Sequence, residues 1–153
     1  MGYTHYYDGL ACNAEMAQAV ADIVDHAKAH GIGIRGGGGY GEPVIVDCLI
    51  CLNGDADKGY DHETFYVPAQ PDPSDFQFCK TARKPYDAVV VATLIWAILN
   101  DAENAYKIGS DGTWEDWSHD RGGYGSITGA ELYEEVFGPI GYAALEKIRQ
   151  QIG

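Results

Sequence analysis

Apolar and polar positions along this chain change their period several times, and each change marks an element. Tyr3–Tyr7 sets Tyr3, His5 and Tyr7 against Thr4 and Tyr6, the two-residue alternation of a strand. After Asn13 the period lengthens. Met16, Val20, Ile23, Val24 and Ala27 recur at three- and four-residue steps, predicting a helix capped by Asn13, running to about His30 and stopped by Gly31. The glycine run Gly36–Gly41 reads as a flexible loop ending at Pro43, and Val44–Asn53 as one buried, apolar strand. A turn over Asn53–Asp61 then sends the chain back through Glu63–Val67 as the second arm of a hairpin.

Pro68, Pro71 and Pro73 mark an exposed connection, and Asp75–Lys80 alternates Phe76 and Phe78 with polar residues, as a strand does. A second helix is predicted from about Pro85 to Asn104. Its apolar positions Val89, Val90, Leu94, Trp96, Ala97 and Leu99 cover most of the circumference, so it belongs in the middle of the molecule. Ala105–Ser110 is a short strand closed by the turn Ser110-Asp111-Gly112, and Trp114–Gly125 has no clean period. Thr128 and Glu131 form a capping box for a helix to Phe137. After Gly138-Pro139 a last amphipathic helix carries Ile140, Leu145, Ile148 and Ile152. Strands and helices interleave irregularly, which predicts an α+β fold: one domain over residues 1–153, with a mixed or antiparallel sheet and three to five helices packed on it.

The formal net charge of −13 on 153 residues narrows the function classes. It argues against general nucleic-acid binding, which needs a basic footprint, and against a membrane-surface protein. The amino terminus lacks the basic and apolar regions of a signal peptide. The longest apolar stretch, Ala88–Leu99, falls short of the ~20 residues that span a bilayer, so a soluble protein of the bacterial cytoplasm is expected. Cys48 and Cys51 have the spacing of a zinc knuckle, but residues three apart on a strand face opposite ways and no second pair follows. The acidic run Asp55, Asp57, Asp61 and Glu63 departs from a calcium loop, with glycine at its fifth position and Tyr66 at its twelfth. No metal and no cofactor is expected.

Against that acidic background, Lys80, Arg83 and Lys84 place three of the ten basic residues within five positions. Such a patch favours an anion: Arg offers a planar fork to phosphate, Lys a point charge, and a helix opening at Pro85 would add free N–H groups. Arg35, beside the glycine run, is placed to close on the same kind of ligand. Tyr3, Tyr7 and Trp114 are candidates to stack on a base, with His5 meeting a phosphate. No nucleophile motif accompanies them, and Asp87 reads as a helix-dipole residue.

Gly2-Tyr3-Thr4-His5-Tyr6-Tyr7, Phe78-Cys79-Lys80-Thr81-Ala82-Arg83-Lys84-Pro85-Tyr86-Asp87 and Ser110-Asp111-Gly112 resemble segments of a group of small uncharacterised proteins encoded by bacteriophages and bacteria. Tyr7 stands where tryptophan is common in that group. The resemblance implies a phage or mobile-element origin, and small phage proteins that bind phosphate-bearing immune signals form a known functional class. The expectation is therefore a non-enzymatic protein that sequesters a small phosphorylated ligand of nucleotide type. The alternatives are a nucleotide-directed hydrolase or transferase, with His5 and Asp111 as acid and base, and an acidic protein–protein inhibitor. A homo-oligomer is compatible with the sequence.

Overall fold

The computed structural model describes residues 2–119 and 127–153. Strand β1 (Thr4–Asp8) leads into helix α1 (Ala14–Ala29), then the short strands β2 (Ile34–Arg35), β3 (Val44–Val46), β4 (Leu49–Gly54) and β5 (Phe65–Pro68). Strand β6 (Phe78–Lys80) precedes helix α2 (Asp87–Leu99). Strand β7 (Lys107–Ser110) precedes helices α3 (Trp114–Ser118), α4 (Gly129–Phe137) and α5 (Tyr142–Ile152).

Two antiparallel sheets result. In the first, β1 lies between β6 and β7, with His5 opposite both Cys79 and Ser110. In the second, β4 pairs with β2, β3 and β5. The fold is thus mixed α+β, as its patterning predicts, with every strand pairing antiparallel. Helix α2 packs against α1, α4 and α5, and ten of its thirteen residues are buried, from Ala88 to Ile98. Each Val, Leu or Ile so enclosed contributes about 1.5–3 kcal/mol of transfer free energy, which makes this helix the centre of the core. A carboxylate fastens α4 to α1: Glu135 of α4 accepts hydrogen bonds from His26 Nδ1 in α1 and from Nε2 of its C-cap His30, each at 2.9 Å. Those bonds hold the Glu135 carboxyl below its ordinary range. Among the described residues no helix is long and apolar enough to cross a membrane.

Several boundaries differ from the sequence reading, each for a local reason. Val44–Asn53 is not one strand but a hairpin, since Val46 pairs with Leu49 around a two-residue turn at Asp47 and Cys48. Cys48 is therefore exposed at the turn while Cys51 is half-buried on β4. Among the described residues no group of three His, Cys, Asp or Glu side chains is arranged to hold a metal ion. The glycine loop is pinned, with Gly36 N–H on Gly41 O and Gly38 N–H on the Thr64 hydroxyl. Helix α2 starts at Asp87 rather than Pro85, and it stops at Leu99 because Asp101 turns back to accept from Ala105 and Tyr106 N–H. Strand β6 shortens to Phe78–Lys80 because Asp72 ties Ser74 and Asp75 into a turn. Trp114 opens a short helix that the sequence pattern does not signal, and the part of Trp114–Gly125 beyond residue 119 lies outside the described residues.

The approach of α4 to α2 requires a glycine. A Cβ on Gly129 would lie 2.2 Å from Val91 Cγ1 and 2.4 Å from Val91 Cβ. Gly129→Ala is therefore expected to lower stability by about 1–3 kcal/mol through overpacking, read as a lower urea midpoint at unchanged slope. An unchanged midpoint would mean that α4 can slide away at no cost.

The cysteines give a second check. Burial pushes the Cys79 thiol up to about 12, and Cys12 is buried as well. Alkylation of the native protein with iodoacetamide, mapped by mass spectrometry, is expected to label Cys48 first and to reach Cys79 only after denaturation.

Candidate functional site

The alternation of β1 turns Tyr3, His5 and Tyr7 to one side, and there His5 is completely enclosed. A buried imidazole must satisfy both ring nitrogens. His5 Nε2 lies 2.7 Å from Asp87 Oδ1, at the first residue of α2, and Nδ1 lies 2.9 Å from Ser110 Oγ, at the end of β7. Ser110 Oγ also receives Gly112 N–H at 2.9 Å and Trp117 Nε1–H at 3.3 Å. Each ring nitrogen of His5 thus has its own polar partner, Asp87 on one side and Ser110 on the other. The Thr81 hydroxyl donates to the same Asp87 oxygen at 2.5 Å. Asp87 is thus the anchor of a buried network as well as a helix-dipole residue, and the edge of Trp117 closes over the imidazole at 5.8 Å.

That network carries the basic loop. Thr81 N–H bonds to Tyr3 O at 2.9 Å, Lys84 N–H to Thr81 O at 3.1 Å, and Asp87 N–H to Lys84 O at 2.8 Å. Between these ties Ala82 and Arg83 take left-handed backbone angles, φ 53° and 58°. Two adjacent non-glycine residues in that region cost about 1–3 kcal/mol each, and only a surrounding that over-determines them keeps them there. The result is a placed guanidinium: Arg83 Cζ lies over the Tyr3 ring, 3.9 Å from its centroid, with its side chain 46% exposed. Asp116 Oδ1 stands 3.6 Å from Arg83 Nη1, while its other oxygen caps α3 through Thr113. Burial first, then the Asp87 charge, raises the Tyr3 phenol well above its ordinary value against the opposing pull of Arg83.

The three cations do not form one cradle. Lys80 is half-buried, with its backbone N–H on Glu63 Oε1 at 2.7 Å, and its aliphatic stem lies over Gly2, where a Cβ would fall 2.6 Å from Lys80 Cε. Lys84 reaches back to donate to Gly59 O at 3.1 Å. Arg35 belongs to the other sheet, 3.6 Å from Asp55 and 3.8 Å from Asp57, where it lines an open groove of about 350 Å³ with Lys28, Lys58 and Glu42. Tyr7 is enclosed against Phe65, its hydroxyl on Tyr66 O and Phe78 O, so its ring is core and offers no face for stacking. Trp114 is half-buried at the start of α3. Asp111 makes no contact with His5: it accepts from Thr4 N–H at 3.0 Å and Tyr6 O–H at 3.2 Å, securing the end of β7 to β1.

No family model, curated protein or solved structure matches the chain. The three segments singled out in the sequence nevertheless meet in space. Gly2–Tyr7, Phe78–Asp87 and Ser110–Gly112 come together along β1 through the His5 network. Ser110 and Thr81 fall in segments that the sequence singles out without giving either a role, and Trp117 is unmarked, because their roles arise only when residues 5, 87 and 110 converge.

Truncating the hub tests it. His5→Ala would leave Asp87 and Ser110 short of a buried partner and open a cavity beneath Trp117. A loss of about 2–5 kcal/mol is expected by urea denaturation. A variant as stable as the parent would show that the imidazole does not hold these elements together.

Proposed function

We propose that the protein is a binding module that captures a small phosphorylated ligand of nucleotide type and withholds it from its receptor. The observation that carries this reading is the presentation of Arg83. A strained loop tied at Thr81, Lys84 and Asp87 fixes its guanidinium on Tyr3 while leaving nearly half of the side chain open to solvent. A planar fork already held in place loses little rotamer freedom when it accepts a phosphate, so more of each hydrogen bond appears as affinity. Asp116, 3.6 Å from Arg83 Nη1, pairs with the same cation, and an incoming phosphate competes with it. The −13 charge of the whole protein disfavours long polyanions, whereas a small ligand samples only charges within about 8–10 Å.

A second reading, turnover of the same ligand, draws on the hydrogen-bonded line Ser110–His5–Asp87. Serine, histidine and carboxylate in that order can move a proton away from an attacking hydroxyl. Two features weigh against it here. Ser110 Oγ already accepts two N–H donors, and His5 has no exposed surface on which to meet a substrate.

Arg83→Ala is expected to weaken binding of a nucleotide probe by about ten- to a hundredfold, the equivalent of roughly 1.5–3 kcal/mol for charge-assisted bonds. Helix content by circular dichroism should not change. Calorimetry giving equal affinities for variant and parent would remove Arg83 from the site. Mass spectrometry of the recovered probe separates the two readings, since intact release means capture and an altered mass means turnover.

A further inference from the structure

The two sheets turn one common face outward. On the inner side the Tyr7 ring of β1 meets Phe65 of β5, with centroids 5.2 Å apart, and the Tyr7 hydroxyl lies 3.4 Å from Tyr66 O and 3.3 Å from Phe78 O. Strands β5 and β6 therefore run side by side, and the opposite phases of β1, β5 and β6 share the outer face. Tyr6 stands there opposite Phe78, and the Phe76 ring lies 5.6 Å from each of them. The register carries the face across the second sheet. Val44, Cys51 and Tyr66 form one cross-strand row, and Val46, Leu49 and Pro68 form the next. The glycine loop bounds it at Cys51, where a Cβ on Gly37 would lie 3.4 Å from Sγ. Of the nine large apolar side chains exposed among the described residues, Val44, Val46, Tyr66, Phe76 and Phe78 lie here, so the exposure is concentrated rather than scattered.

We propose that this face is the interface of a homodimer, covered by a second copy of the chain about a two-fold axis. Area and charge both point to that occupant. Tyr66, Phe76 and Phe78 are 50%, 62% and 45% exposed, which leaves each ring about 75–150 Å² of accessible surface. With the two cross-strand rows added, the apolar face reaches on the order of 500–600 Å². A stable dimer takes roughly 800 Å² from each copy, as an apolar centre inside a polar rim, so the rim has only the balance to supply. A small ligand would cover a fraction of the face and leave the rest in water. A two-fold contact also sets the same patch against itself, and a patch of one charge sign repels its own copy. Here the two rows are uncharged, and the rim carries both signs: Glu63 with Lys80 at the end of β6, and Lys107 and Asp111 at the two ends of β7. Two chains of net charge −13 can therefore meet on this face without setting like charges against each other. The assignment is independent of what Arg83 binds.

Sedimentation velocity tests it. At about 50 μM, above the micromolar end of the affinities that interfaces of this size show, the parent is expected to run at twice the chain mass. Tyr66→Ser and Phe76→Ser replace exposed rings, one from each half of the face, and each should raise the dimer dissociation constant about ten- to a hundredfold. Circular dichroism checks that both fold. Phe76 lies outside every strand, so its variant keeps the test decisive even where the change on β5 disturbs the sheet. Tyr142→Ser, at the 82% exposed ring that opens α5, should leave the dissociation constant unchanged and serves as the control. A monomeric parent at that concentration overturns the proposal. So does a dimer that either folded face variant leaves at the parent's affinity, or one that the Tyr142 substitution weakens as much as they do.

Discussion

A single buried imidazole ties three elements that are distant in sequence. His5 reaches Asp87 across 82 positions of sequence and Ser110 across 105. In doing so it joins the first strand, the start of the central helix and the end of the last strand. Each partner is fixed again by others: Asp87 by Thr81, and Ser110 by Gly112 and Trp117. A polar network whose members each have more than one partner is stiff, because any member that moves leaves another without a partner. That stiffness is what the loop outside it requires. Ala82 and Arg83 keep unfavourable backbone angles only because Thr81 and Asp87, on either side, are immobilised.

The same network answers a question of economy. An apolar cluster in place of His5, Asp87 and Ser110 would be at least as stabilising, since enclosed polar groups return little beyond what their desolvation costs. It would not, however, fix direction. Hydrophobic contacts tolerate sliding, whereas two hydrogen bonds at 2.7 and 2.9 Å on one ring admit a single placement of the helix start relative to the strand. The polar residues in the core are therefore best understood by what they aim, which is Arg83 on its Tyr3 base, at the rim of the sheet whose outer face carries Lys80.

Patterning carried the reading where the physics is local. Asn13 caps α1 through Met16 N–H, and Thr128 with Glu131 forms the capping box of α4, both as the residue types demand. The near-total burial of α2 follows from an apolar circumference. Patterning failed where the signal is small or non-local. The Asp47–Cys48 turn has no glycine and no left-handed residue, so nothing in the apolar run announces that it folds back. The two residues of β2 are too few to show a period. The sequence does mark Lys80, Arg83 and Lys84, but nearness along the chain is not convergence. A strand sends Lys80 to one face, a left-handed turn sends Arg83 onto Tyr3, and Lys84 reaches to Gly59.

Tyrosines of β1 illustrate the limit most sharply. Alternation shows that Tyr3 and Tyr7 share a face and that Tyr6 has the other, yet it cannot say which face is inside. Tryptophan or tyrosine at position 7 suits either, because a large ring with one polar atom can fill a core or line a pocket. The decision is made by the partners. Phe65 and the carbonyls of Tyr66 and Phe78 enclose Tyr7, while the facing positions of Tyr6 are an exposed phenylalanine and a glycine. A strand with tyrosine on both phases thus spends one ring on stability and leaves the next at the surface, where Phe76 and Phe78 extend it. Exposed aromatic area of this kind is unfavourable for a free monomer, since each ring keeps apolar surface in water.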